Sequence, residues 1–232
     1  MMLPGQLMLK RASASRPSGT WKDEDYDVLA DRTLVGRIYE EGSASTPPEL
    51  RWFWSITEVV RVPGVATKGH ASTLDEAKAK FRDNWTRAVI GSNAYHEAGH
   101  AIVGWALGGS VHEIRIRDDR PGEHAQVEFT KSLSLLDQVA IHNAGRQSEE
   151  LFGHSLPSWA STRDRTDCIN AITAEGIRDT AKIAEWIDRG CGRARELLQQ
   201  RESDVHRLAA RLIECRHMDA DTFARFMEGA NG

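Results

Sequence analysis

Cysteine is scarce in this chain. Three residues among 232, Cys168, Cys191 and Cys215, make an odd number with no CxxC pair. That argues against a disulfide framework and for a reducing compartment, with the thiols as ordinary half-buried side chains. Long apolar runs are absent as well. The longest, Ala101 to Leu107, falls far short of the roughly 20 residues a membrane-spanning helix needs. Neither charge sign dominates: a formal net charge of −4 points to neither nucleic acid nor an anionic membrane as partner. The opening MMLPGQLMLKR places its charges after its apolar residues, the reverse of a signal peptide, so a cytoplasmic protein is expected. There is no internal repeat and no GxxxxGK[ST] phosphate loop. What is present is ordinary for a globular chain, 40% hydrophobic and 28% charged residues, enough apolar material for a real core.

Three regions follow from the patterning. Residues 1–19, with the small, polar, basic stretch RASASRPSG, read as a flexible leader. Residues 20–90 read as a small mixed α/β domain of unassigned role. DYDVLADRTLVGRIYEE suggests two strands around a polar turn at Asp31-Arg32, and RWFWSITEVV a third strand ended by Pro63-Gly64. Thr73 with Glu76 forms a capping box, and Leu74, Ala77, Phe81, Trp85 and Ala88 follow at helical spacing to face the sheet. Trp52, Phe53 and Trp54 read as packing residues rather than a ligand platform. Gly91-Ser92-Asn93 marks a break. Beyond it residues 91–232 are mostly helical, apart from a strand at 111–117 and a second at 125–130 that pair across the loop DDRPGEH. The fold class is α+β.

The chemistry concentrates at Tyr95-His96-Glu97-Ala98-Gly99-His100-Ala101. On a helix, positions i and i+4 share a face, so His96 and His100 present two imidazoles to one metal ion. Glu97 lies beside them, placed to act on water as a general base; this is the HExxH pattern of zinc peptidases. The apolar continuation AIVGWAL supports a helix, and the small Ala98 and Gly99 let another backbone approach the metal face. A catalytic zinc needs a third protein ligand and an open position. The downstream candidates are Glu149, Glu150, Asp164 and Asp167.

Taken in order, several segments resemble the peptidase domain of the FtsH family of ATP-dependent zinc metallopeptidases. NAYHEAGHAIVGWALG is similar to its metal helix and GSVHEIRIR to its following strand. NAGRQSEELFG (143–153) resembles its GGRxAEExxxG helix and ASTRDRTDCINAI (160–172) its STGAxxDxxxAT segment. DRGCGRARELL (188–198) and DADTFARFM resemble its late helices, so the likeness spans about residues 92–230. The resemblance implies a zincin-type peptidase domain over 91–232, with Zn2+ held by His96, His100 and Asp167 and with Glu97 as catalytic base. Glu150 is the alternative third ligand. Glu150 or Glu149 otherwise orients a ligand imidazole, and Asp164 reads as a solvated loop charge. His112, His124, His142 and His154 read as scattered histidines outside the metal set.

The segment departs from the family pattern where Gly-Ala of STGA is Arg163-Asp164, and HAQVEFT lacks the glycine of the family's edge strand. Neither the family's ATPase module nor its membrane anchor is visible. The expected function is therefore ATP-independent hydrolysis of flexible or unfolded polypeptides, with a partner ATPase or adaptor, or a homo-oligomer, as expected assemblies and no nucleic acid. The alternative is a non-catalytic zinc-containing binding or adaptor module derived from the same fold.

Overall fold

The computed structural model describes residues 7–16, 23–30, 32–41, 45–57, 64–116, 125–128, 133–154 and 162–229. It mixes helices and antiparallel sheets in two compact units, the first made up essentially of Met1–Val89 and the second starting at Ile90. Among the described residues no helix is long and apolar enough to cross a membrane.

The first unit is a five-stranded antiparallel meander, β1 (Met8–Arg11), β2 (Asp25–Ala30), β3 (Thr33–Glu40), β4 (Trp52–Ile56) and β5 (Lys68–Ala71), with strands paired in chain order. A four-residue helix, α1 (Ala12–Ser15), follows β1. The first turns of α2 (Leu74–Ala106) complete the unit. Its cap forms as the sequence predicts: Thr73 Oγ1 accepts from the Glu76 N–H at 3.2 Å, and the Glu76 carboxylate accepts from the Ser72 N–H at 2.8 Å. Ala77, Phe81, Trp85 and Ala88 are buried, and Trp54 meets Phe81 edge-on. The strand alternation of β4 divides its aromatics. Trp52 and Trp54 enter the core, while Phe53 points to the other face beside Tyr39 and His70 at 5.1 and 5.3 Å.

Two strands of this sheet depart from expectation. Met8–Arg11, expected within a flexible leader, pairs in register with Arg11↔Tyr26 through Met8↔Leu29. Backbone pairing, which asks little of side chains, orders it. Lys68–Ala71, unmarked by β-branched residues, pairs with β4 in the same way. Of the expected turn at Asp31-Arg32, Arg32 takes a left-handed φ of 69°; Asp31, like Pro63 and the loop 118–124, lies outside the described residues.

The expected break at Gly91-Ser92-Asn93 is also corrected. The capped helix and the HExxH helix are one helix of 33 residues. Ser92 and Asn93 are 0% and 3% exposed, so tertiary burial overrides their weak helix propensity.

In the second unit, the C-terminal half of α2 leads into β6 (Ser110–Arg115), β7 (Ala125–Glu128), α3 (Leu135–Phe152), α4 (Thr162–Ala174), α5 (Thr180–Gln200), α6 (Glu202–Cys215), β8 (His217–Asp219) and α7 (Ala220–Glu228). β7 and β6 pair antiparallel, as expected from sequence, and β8 adds a third strand on the other side of β6. Ile102, Ile114, Leu198, Leu208, Leu212 and Met218 are fully buried in one continuous core. Each such side chain removed from water contributes on the order of 1.5–3 kcal/mol. α3 begins at a Ser134 cap and ends at Gly153 in the left-handed conformation. A smaller core of Val139, Cys168 and Ile172 ties α4 to α3.

Candidate metal centre

The period of α2 places His96 and His100 one turn apart, and both are buried, at 5% and 8% exposure. α3 packs close enough to fix them because both contact surfaces are glycine. A Cβ on Gly99 would stand 2.6 Å from the Ala144 carbonyl oxygen. A Cβ on Gly145 would stand 2.5 Å from His100 Nε2 and 2.6 Å from His96 Nε2. No real Cβ tolerates such distances, so glycine at both positions is a packing requirement.

Each imidazole is held from behind. His100 Nδ1 lies 2.7 Å from the Ile141 carbonyl oxygen, which can only accept. The Nδ1 proton therefore points at Ile141, and Nε2 is the free nitrogen of the neutral ring. His96 Nδ1 lies 3.4 Å from Glu149 Oε1, and the same oxygen accepts from Ser92 Oγ at 2.8 Å. Both rings thus turn Nε2 to one place, where the two nitrogens stand 3.1 Å apart. A carboxylate and a carbonyl behind two imidazoles is the support that metal-ligating histidines receive in known sites.

The carboxylate that meets them comes from the first turn of α4. Asp164 Oδ2 is 2.9 Å from His96 Nε2 and 3.4 Å from His100 Nε2. Ligand atoms of His96, His100 and Asp164 all lie within 4.8 Å of one another, the only such group of three or more among the described residues. Two imidazole nitrogens and one carboxylate oxygen form a donor set that fits a divalent metal such as zinc.

Here the structure differs from the expectation drawn from the resemblance. Asp167, expected as the third ligand, stands one turn further along α4, 46% exposed at its side chain and 3.8 Å from Arg163. Asp164, expected as a solvated loop charge, occupies the position facing the imidazoles, because α4 begins at Thr162 and its first turn abuts α3. Glu150 faces away, ion-paired with Arg146 at 2.9 Å and Arg195 at 3.5 Å. Glu149 is the buried one, behind His96.

The electrostatics follow from this geometry. Burial alone would push the His96 pKa down. Hydrogen bonds to Asp164 and Glu149, and the charges of Glu149 and Glu97, more than reverse it and hold His96 well above the ordinary imidazole value. His100 is also raised: burial opposes, and the Asp164 carboxylate prevails. Asp164 moves far below the usual carboxylate range, since the two imidazoles outweigh its burial. Glu97 is 3% exposed and its charge reaches both imidazoles.

Sequence reasoning missed two contributors. Ser92 carried no signal beyond its place four residues before His96. His142, read as scattered, lies on α3 one turn before Gly145; burial lowers its pKa, and it feels the charges of His100, Asp167 and Asp164. Elsewhere, Tyr95 donates toward or accepts from His206 Nδ1 at 2.7 Å and stacks on His154 at 3.7 Å.

Comparison with known proteins gives one coarse relationship. The chain is 28% identical over 184 aligned residues to the ATP-dependent zinc metalloprotease FtsH of Magnetococcus marinus. The match covers 60% of this chain and 27% of the relative, so the chain spans about a quarter of the length of that protein. No family profile matches the chain. The relationship to FtsH is distant.

Proposed function

We propose that the second unit is a zinc-dependent endopeptidase domain that cleaves flexible or unfolded polypeptides in the cytoplasm, without ATP hydrolysis of its own. The observation that carries this reading is the convergence of two Nε2 atoms on one carboxylate while both Nδ1 positions are engaged behind them. The distant relationship to a zinc metalloprotease supports it. His96, His100 and a carboxylate of α4 would hold zinc, which when bound supplies Lewis acidity that acidifies water and polarises a carbonyl.

The chain's own residues do the rest. Glu97, next to His96 in sequence and buried against the imidazole pair, accepts a proton from water and returns it to the leaving amine. Ile141 and Glu149 keep both Nδ1 protons away from the reacting side. Gly145 leaves the space in front of the imidazoles open. Residues 20–90 form a separate domain in this reading, and a partner ATPase, an adaptor or further copies of the chain are its natural company.

A second reading has one observation in its favour: Arg163-Asp164 stands where the resembling segment has small residues. It makes the domain a zinc-containing binding or adaptor module. One experiment separates the two: cleavage of an unfolded model protein by the purified zinc-loaded chain beside Glu97→Gln, with zinc content measured for both. Cleavage by the wild type alone, with equal zinc, supports the peptidase. Equal zinc with no cleavage by either favours the adaptor module.

A further inference from the structure

We infer that the third metal ligand of this chain is Asp164 and not Asp167, a displacement of the ligand by one turn along α4. The inference rests on the zinc reading above and specifies its ligand set.

The two carboxylates are three residues apart, so they lie about one turn from each other on neighbouring positions of one face of α4. Only one is seated beside the imidazoles. Asp164 Oδ2 lies 2.9 and 3.4 Å from the two Nε2 atoms, and its side chain is 29% exposed. Asp167 is outside the three-residue group; its carboxylate turns outward, where Arg163 Nε lies 3.8 Å from Oδ2. Arg163 and Asp164 are the two positions where STGAxxD is not followed. One of the pair supplies a carboxylate to the imidazoles, and the other draws the neighbouring carboxylate away.

Charge and coordination favour one carboxylate over two. Two neutral imidazoles and one carboxylate leave a divalent zinc with net positive charge and, in a tetrahedral site, one open position. A second carboxylate would neutralise the site and close it, which suits a structural zinc rather than a hydrolytic one. The Arg163–Asp167 pair is exposed, 72% and 46% at the two side chains, so it biases the arrangement weakly. The seat of Asp164 beside the imidazoles, set by the start of α4, does most of the selection.

The test is zinc affinity of the full chain, by competition with a chromogenic chelator. Wild type, Asp164→Asn, Asp167→Asn and Glu150→Gln are compared. Melting curves in excess chelator confirm that each variant folds; both Asp→Asn changes are isosteric and partly exposed, so folding should survive. Asp164→Asn should weaken zinc binding at least 100-fold, and Asp167→Asn should stay within about threefold of wild type. The reverse pattern, or equal losses from both, overturns the assignment while leaving the zinc site standing. A wild type that takes up no zinc overturns the site itself, and the assignment with it. Visible spectra of the cobalt-substituted chain add a readout independent of activity: Asp164→Asn should change the ligand-field bands, and Asp167→Asn should not. Unchanged bands in Asp164→Asn beside altered bands in Asp167→Asn would also overturn the assignment.

Discussion

Ser92 and Glu149 lie 57 positions apart in the chain and are joined by a buried 2.8 Å hydrogen bond. The bonded oxygen, Oε1, is also the one that faces His96 Nδ1 at 3.4 Å. A hydroxyl on α2 therefore aims a carboxylate on α3, which aims an imidazole back on α2. Removing the hydroxyl leaves a buried carboxylate less well held. Ser92→Ala should weaken zinc binding by about tenfold, and Glu149→Gln by about 10–100-fold, the range seen for such supporting groups. Isothermal titration with zinc checks both; unchanged affinity in Glu149→Gln would show that His96 is oriented without it.

Gly145 is a requirement of space. Its replacement by alanine puts a methyl 2.5 Å from His100 Nε2 and 2.6 Å from His96 Nε2. Both lie on rings already pinned at Nδ1, so α3 must retreat or the rings must turn. Gly145→Ala should lose zinc binding and cost about 1–3 kcal/mol, the range for overpacked sites. Chelator competition and urea melts of the same preparation check the two effects. A variant that binds zinc normally would mean that α3 moves away freely.

Stability without metal should depend on pH in a particular direction. His96 and His100 have folded pKa values above the ordinary value of about 6.5. Their stabilising contribution is complete below that value and is lost as pH rises through the folded pKa values. His154 works oppositely: burial and then the His206 charge lower it to about 4. Its contribution is complete above pH ~6.5 and is lost as pH falls from there toward about 4. Melting temperature in excess chelator should therefore peak near pH 6.5 and fall on both sides. With saturating zinc the alkaline fall should vanish, since metal binding needs neutral imidazoles and strengthens as pH rises. Identical profiles with and without zinc would contradict the arrangement.

The capping box of α2 makes a prediction apart from the metal. Thr73 Oγ1 and the Glu76 carboxylate satisfy two backbone N–H groups at the helix start. Thr73→Ala should cost about 1 kcal/mol. Zinc affinity should not change. Thermal denaturation and chelator competition together check the separation.

The parts of the structure that were legible in the sequence are those carried by side-chain period. The HExxH spacing put two histidines on one face of α2, and the alternation over 111–117 marked β6. The box at Thr73 and Glu76 marked a helix start. What escaped was held by backbone or by packing at long range. β8 is the three-residue run His217–Asp219, too short for any pattern, and is ordered by pairing with β6. β1 looks like a loose leader until β2 is present to pair with it. Which of Asp164 and Asp167 faces the imidazoles depends on where α4 begins and how it lies on α3, and residue types three positions apart cannot report that.

The two imidazoles differ in how they would fare under random mutation. His100 is locked by a main-chain oxygen, that of Ile141, and any residue at position 141 would offer the same oxygen. His96 is locked by a side chain that is itself held by a second side chain, so its orientation is exposed to loss at Ser92 and at Glu149. Loss of the imidazole geometry by substitution should therefore begin on the His96 side. A chain that had lost metal binding while retaining its fold would still show His100 seated against the backbone.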